Sequence, residues 1–374
     1  RKLRAMDNCV IPHGYKATAL GIIPQEWEVM LLGNLSNSIS SGRNKHRDAH
    51  GQYPVFGSTG IIGYSSTYEY EGPVILVARV GANAGTLNFA SGQYDVSDNT
   101  LIITIKQNVY DYNFAYNQLT HYKLNKLVFG SGQPLITSKQ LKNIRIPVPP
   151  LAEQRKIAEV LGVWDKAIEK QARLIEKLAL RKRALMQRLL SAKLRLPGFS
   201  EPWKKVKLGD VAELYQPQTI QSEDLSQTGY PVYGANGLIG YYNNYNHEYP
   251  QVVITCRGSS CGTVNFTPGK CWITGNAMVL NVDNNRDVNK SFFYYLISNS
   301  SFVNLISGSG QPQIVRQPLL KFELRIPPLK EQTAIAEVLT AADREIDLAK
   351  EKLERLRRQK RGLMQQLLTG KKRI

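Results

Sequence analysis

The side chains in this sequence best suited to chemistry are cations and amides set among glycines. Arg43, Lys45 and Arg47 alternate through Ser41-Gly42-Arg43-Asn44-Lys45-His46-Arg47, whose glycine and polar neighbours read as a loop. Presented this way, ammonium and guanidinium groups bind phosphate oxygens, and arginine also forks onto a guanine edge. The corresponding stretch later in the chain is Gln216-Pro-Gln218-Thr-Ile-Gln221, where the amides of Gln218 and Gln221 suit adenine. Arg79 and Arg257 each follow a hydrophobic run and precede Gly81 and Gly258, which places both guanidiniums at a strand end facing the same surface. There they contact guanine or phosphate, or are fixed by a structural carboxylate. Gly130-Ser-Gly-Gln133-Pro134 and Gly308-Ser-Gly-Gln311-Pro312, followed by Lys139 and Arg316, suit an approach of glycine amides to the nucleic-acid backbone, and equally a tight turn. Tyr64 and Tyr241, which end two matching glycine-rich blocks, complete the candidate binding residues.

Catalytic constellations are not legible. An adenine methyltransferase needs a glycine-rich cofactor loop and an Asn/Asp-Pro-Pro-aromatic motif for the flipped base. The double prolines here run into leucine, as Pro149-Pro150-Leu151 and Pro327-Pro328-Leu329, and mark domain edges. Gly-Ser-Gly-Gln-Pro lacks the spacing and the lysine of a phosphate loop. Nuclease chemistry asks for clustered carboxylates around Mg2+. Instead Glu153, Glu159, Asp165, Glu169 and Glu176 spread along a helix, as solvated or i,i+4 partners of lysine and arginine. Cys256-x4-Cys261-x9-Cys271 holds no close pair, so with Cys9 the cysteines read as reduced structural thiols, and His46 and His50 as loop histidines. The expectation is no catalytic residue, no metal and no cofactor on this chain.

Charge points the same way. Lys+Arg exceed Asp+Glu by 48 to 30, a net +18, which attracts nucleic acid or an anionic membrane. No apolar run approaches the ~18 residues that span a bilayer, which weakens the membrane alternative. Arg1-Lys2-Leu3-Arg4 is followed by no apolar signal core, so a cytoplasmic protein is expected.

The elements that must position these residues are written twice, at an interval of about 178 residues. Tyr53-Pro-Val-Phe-Gly-Ser-Thr-Gly-Ile-Ile-Gly-Tyr64 returns as Tyr230-Pro-Val-Tyr-Gly-Ala-Asn-Gly-Leu-Ile-Gly-Tyr241, and Pro-Pro-Leu-x-Glu-Gln recurs at Glu153 and Glu331. In each copy, β-branched runs such as Val74-Ile-Leu-Val77 and Val252-Val-Ile-Thr255 mix with helical stretches at Tyr110–Leu127 and Lys290–Ile306. The predicted class is α+β: two tandem α/β domains separated by two long repeated helices. Apolar residues at Ile157, Leu161, Trp164, Ile168, Ile175, Leu178, Leu185 and Leu189 step by four and three if Gln171 and Lys182 fill the gaps. Ile335, Leu339, Ala342, Ile346, Ala349, Leu353, Leu356, Leu363 and Leu367 keep that phase, with Lys360 matching Lys182. One such helix cannot bury its seam alone, so the two are expected to pack together as an antiparallel coiled coil; the alternative is dimerisation of separate chains. A helix of ~40 residues is ~60 Å long, a rigid spacer comparable with more than one turn of DNA. The expected boundaries are 1–150 (with 1–20 as a leader), 151–196, 197–328 and 329–374.

In these repeated blocks the sequence resembles the specificity subunit of type I restriction-modification enzymes from about Gly14 to the C-terminus. The carriers are Gly14-Tyr-Lys-x-Thr-x-x-Gly-x-Ile-Pro-x-x-Trp27, the paired Gly-Ser-Gly-Gln-Pro and Pro-Pro-Leu-x-Glu-Gln blocks, and the Leu-Met-Gln helix ends. The resemblance implies two target-recognition domains, each reading one half of a bipartite double-stranded DNA target. It also implies helices that act as a ruler and dock two methyltransferase subunits, the seam residues Ile157, Leu161, Trp164, Ile168, Ile335, Leu339, Ile346 and Leu353 serving as spacer or docking positions. Separate restriction and translocase subunits would complete the complex, and S-adenosylmethionine, Mg2+ and ATP would belong to the partners. A type IIB or related defence complex is a close alternative, and a basic coiled-coil adaptor without sequence specificity a more distant one. One departure is that the two domains share more sequence than unrelated half-sites need, which implies partly similar halves.

Overall fold

The computed structural model describes residues 11–45, 48, 50–129, 134–234, 236–308 and 310–374. Two compact units emerge: residues 1–171 with 352–374, and residues 172–351. Compactness thus groups the chain differently from the four stretches expected from the proline breaks, because each unit takes half of each long helix.

In the first unit the β-branched runs Val74–Ala78 and Thr100–Ile105 are the centre of an antiparallel sheet, flanked by Ser36–Ser41 and Leu87–Ala90. Both central strands are almost wholly buried, as their unbroken apolar runs require. A smaller sheet holds Gly60–Ser65, Tyr53–Gly57, Gln93–Val96 and Tyr70–Glu71 in that order, with Tyr53–Gly57 parallel to Gln93–Val96. The helix Tyr112–Tyr122 starts at Asp111, whose carboxylate accepts from the Phe114 amide at 3.0 Å, a good cap. The second unit rebuilds this plan. Glu213–Tyr215, Ala277–Asn281, Val252–Thr255 and Val264–Phe266 form its main sheet, and Gly237–Tyr242, Tyr230–Gly234 and Trp272–Ile273 its small one. Its helix Lys290–Ser298 is capped by Asn289.

The long helices run Leu151–Leu189 and Leu329–Leu367, 39 residues each. The expected seam is the inward face. Ile157, Leu161, Ile335, Leu339, Ile346 and Leu353 are buried, and Trp164 and Ile168 are half-buried. In the first unit Ile157 and Leu161 share a core with Met364 and Leu367, and Lys360 pairs with Asp165. In the second, Leu178 packs on Ile346 and Ala349, and Lys182 pairs with Asp343 while lying over the Tyr295 ring. Rising numbers on one helix meet falling numbers on the other in both units, so the pairing is antiparallel. The polar gaps at Lys182 and Lys360 are filled by ion pairs, with the lysine stems covering the seam.

The repeated Glu-Gln at each helix start explains how the helix is seated. Gln154 accepts from the Asp111 amide and donates to the carbonyls of Val109 and Pro149, each at 2.9 Å. Gln332 does the same with the Asn289 amide and the carbonyls of Asp287 and Pro327. Glu153 accepts from the Trp27 indole at 3.1 Å and from Arg373 at 3.0 and 2.8 Å. Glu331 accepts from the Trp203 indole at 3.2 Å and from Arg195 at 2.6 and 2.8 Å. Each arginine lies six residues past the end of a long helix, Arg195 after Leu189 and Arg373 after Leu367.

Among the described residues, no helix is long and apolar enough to cross a membrane.

Two stability predictions follow from these contacts. The Glu331 side chain is almost fully buried, so Glu331→Ala strands Arg195 and the Trp203 N–H and costs ~3 kcal/mol in urea unfolding, whereas Glu331→Gln costs less because an acceptor remains. His247 in the second unit is buried beside Tyr215, its Nε2 2.9 Å from the hydroxyl and its Nδ1 2.6 Å from Asn246 Oδ1. Asn246 Oδ1 is fixed as an acceptor by the Ile273 amide, so the imidazole donates to it through Nδ1. Burial pushes its pKa down, the Asp283 charge opposing only in part. The unfolded chain therefore binds the proton first, so stability falls as pH drops through ~6.5, and His247→Gln flattens that part of the unfolding profile.

Candidate nucleic-acid interface

Strand direction decides where the candidate loops gather. In the first unit Tyr53–Gly57 and Gln93–Val96 run parallel, with Phe56 opposite Val96 and the Ser97 amide donating to the Phe56 carbonyl at 2.9 Å. Both strands therefore run out at one end of the sheet. The turn that follows Val96 carries three attachments there. Gly42 N–H donates to Thr100 O at 3.0 Å, Asn44 N–H to Val96 O at 2.9 Å, and Arg79 N–H to Asn99 O at 2.9 Å. Gly42 allows this approach because a Cβ there would lie 2.5 Å from the Ser97 carbonyl oxygen. The result is a rim on which Arg43 and Lys45 are exposed, Arg43 standing 4.0 Å from Glu69. Arg47 and Gln133, both expected here, lie outside the described residues.

The second unit repeats the arrangement with different side chains. Tyr230–Gly234 runs parallel to Trp272–Ile273, and the Thr274 amide donates to the Tyr233 carbonyl at 2.9 Å. The 216–221 stretch packs on this end. Gln216 donates to the Gly275 carbonyl at 2.9 Å, and the Trp272 indole to the Gln218 carbonyl at 3.1 Å. With the backbone of Gln218 held, its amide and that of Gln221 are exposed. Gln311 is exposed near the bridge at which Ser307 and Gln313 exchange amide bonds at 2.9 and 2.8 Å. Gly258 N–H donates to Pro312 O at 3.0 Å, which ties Pro312 to the Arg257 loop.

The two arginines are not equivalents, which corrects the expectation that both guanidiniums face the same surface. Arg79 N–H bonds Asn99 O and Arg79 O accepts from Ile136; in the second unit the same two roles belong to Cys256, with Asn276 and Ile314. Val80 bridges Leu135 where Arg257 bridges Gln313. A shift of one residue along extended backbone turns a side chain to the opposite face. Arg257 is exposed accordingly, while Arg79 is half-buried and its Nε is enclosed with no hydrogen-bond partner among the described residues. Among those residues neither arginine forms an ion pair, so the structural-carboxylate alternative finds no partner here. Ser97 Oγ and Thr100 Oγ1 beside Arg79, and Thr274 Oγ1 at the place of Ser97, are likewise buried without a partner among the described residues.

The remaining candidates spread around this frame. Tyr64 and Tyr241 sit on the outer arm of the small-sheet hairpin, Tyr64 exposed and Tyr241 half-buried. Lys139 and Arg316 are exposed on the short helices Ser138–Lys142 and Arg316–Leu320. The helix residues named for spacer or docking roles are turned into the seam; Ile157, Leu161, Ile335 and Leu339 have no accessible side chain for a partner. Outward apolar positions on the long helices are Val160, Val163, Leu174, Leu180, Leu329 and Leu348. Among the described residues no three His, Cys, Asp or Glu side chains come together to hold a metal ion.

Sequence reasoning missed one feature of the rim, the consecutive exposed Ile61-Ile62 and Leu238-Ile239 on the hairpin. Their signal was present in the repeated block as two bulky apolar residues between glycines in both copies.

A family model for the type I restriction modification DNA specificity domain matches residues 24–179 and again 200–358. The MjaVIII specificity subunit of Methanocaldococcus jannaschii is 24% identical over 409 aligned positions, covering 94% of each chain. The putative MjaX specificity subunit of the same organism is 26% identical, covering 96% of this chain and 97% of its own. Among solved structures, the S subunit of a type I restriction-modification system from M. genitalium superposes with a TM-score of 0.65 at 19% identity, over 96% of this chain and 98% of that one. With two matched domains that together span most of its length, the chain belongs to the specificity subunits of type I restriction-modification systems.

Proposed function

We propose that each unit reads one half of a bipartite DNA target and that the chain contributes recognition only. Methyl transfer, translocation and cleavage then reside on methyltransferase and restriction subunits, which bind S-adenosylmethionine, Mg2+ and ATP. The observation that carries this reading is a common backbone frame bearing unlike side chains. The stretch after the edge strand of the main sheet carries Arg43 and Lys45 in one unit and Gln218 and Gln221 in the other, and Val80 stands where Arg257 stands. Equal frames with unequal donors suit two different half-sites.

The long helices supply the spacing. Each is an uninterrupted run of 39 residues, ~58 Å at 1.5 Å per residue, with its seam filled along its length. The outward apolar residues Val160, Val163, Leu174, Leu180, Leu329 and Leu348 are the surface offered to partner subunits.

In the assembled complex with methyltransferase subunits, Arg257→Ala weakens binding by ~1–3 kcal/mol and relaxes the second half-site alone, read by competition between duplexes altered in one half. Equal binding of all duplexes by the unaltered complex would overturn the recognition reading. Inserting one heptad into each long helix lengthens the gap between half-sites by about three base pairs and leaves both halves unchanged, read by mapping the methylated sites. An unchanged gap removes the spacer role.

A further inference from the structure

The hairpin that ends at the rim carries an unusual pair of side chains in both units. In the first, Phe56 opposes Ile61 and Val55 opposes Gly63, so Ile62 is an extra residue, a bulge. In the second, Tyr233 opposes Leu238 and Val232 opposes Gly240, so Ile239 is the bulge. Along a regular strand two successive side chains point to opposite faces, and one of them would turn inward. The bulge breaks that alternation and leaves both outward. Ile61 and Ile62 are 53% and 39% exposed, and Leu238 and Ile239 51% and 50%.

The members of each pair differ in role. A Cβ built on Gly57 would lie 2.6 Å from Ile62, and one on Gly234 would lie 3.0 Å from Ile239, so each bulge residue leans across the glycine of the facing strand and braces the hairpin. Ile61 and Leu238 have no such support to give and project from the tip, just past Gly60 and Gly237, whose φ of +101° and +112° turn the chain. A single exposed aliphatic residue is ordinary. Here both domains, whose loops differ, present an exposed aliphatic side chain at the same place beside the same bulge.

Its surroundings identify what it meets. The turn before Ile61 lies at the sheet end shared with the 97–100 turn, which holds the loop of Arg43 and Lys45; the turn before Leu238 lies at the end on which Gln218 packs. A rim of cations and amides suits DNA, and an aliphatic side chain within it has nothing to exchange with base-edge donors. It can press on the nonpolar parts of a base pair, a thymine methyl or a ring face at an opened step. We infer that Ile61 and Leu238 are nonpolar DNA contacts, one for each half-site. This rests on the recognition reading above.

The test uses the complex with methyltransferase subunits and its own target duplex. Ile61→Ser and Leu238→Ser each weaken binding roughly tenfold, while the slope of log K against log salt is unchanged because no phosphate contact is lost. Arg43→Gln lowers that slope. Ile61→Leu restores affinity, and Ile61→Thr, suited to a strand, reproduces the loss should the serine variant unfold. Unchanged affinity of both polar variants overturns the inference. So does release of methyltransferase subunits with DNA affinity of the intact complex preserved, which makes the hairpin tip a protein-docking surface. Failure of the recognition reading looks different, since the unaltered complex would then show no preference for its target.

Discussion

The structure depends on a buried carboxylate at the head of each long helix. A glutamate side chain removed from water is tolerable only when its oxygens are filled, and here an indole and an arginine fill them. The arginine comes from beyond the end of a long helix, so a carboxylate near the start of one helix is neutralised only when the segment after the other is in place. In the second unit Arg195 follows the first helix and seals Glu331, which starts the second. In the first unit Arg373 follows the second helix and seals Glu153. The neighbouring glutamine adds a second lock by holding the cap residue of the domain helix, Asp111 or Asn289. Breaking either network leaves buried polar groups unpaired, which makes the seating of helix on domain specific rather than merely cohesive.

On that frame, function gathers where backbone order ends. The central strands of each main sheet are apolar and enclosed and offer nothing to a polar ligand. The parallel pair in each small sheet brings two strand ends together, and the loops that pack on that end carry the cations of the first unit and the amides of the second. Gly42 lets one loop sit against the next turn, and Gly275, close to Thr219 and Pro217, plays a similar part in the second unit. Two copies of one frame can thus present different chemistry without disturbing the core, since the variable side chains are those that do not pack.

The repeat, the α+β class, the strand runs and the helical seam were legible in the sequence, because each rests on local periodicity or on exact recurrence of residues. The Glu-Gln pair was legible as a motif but not as a lock: its partners at Trp27 and Arg373, or Trp203 and Arg195, lie far away along the chain. The candidate loops were found by composition; in the structure Arg43 and Lys45 share one sheet end in the first unit and Gln218 and Gln221 one in the second, while Tyr64, Tyr241, Lys139 and Arg316 lie around them.

What composition could not supply was register. Arg79 and Arg257 look alike beside their glycines, yet hydrogen bonding aligns Arg79 with Cys256 and Arg257 with Val80, and one residue of offset along extended backbone reverses the face. Ile61 and Leu238 were hidden for a related reason, since only the pairing across the hairpin shows a bulge that turns two successive apolar residues outward. The sequence by itself determined which elements exist and which family they compose, through short-range pattern and repetition. Tertiary structure alone decided which side chains share a surface, because strand register and buried charge are settled between residues distant in the chain.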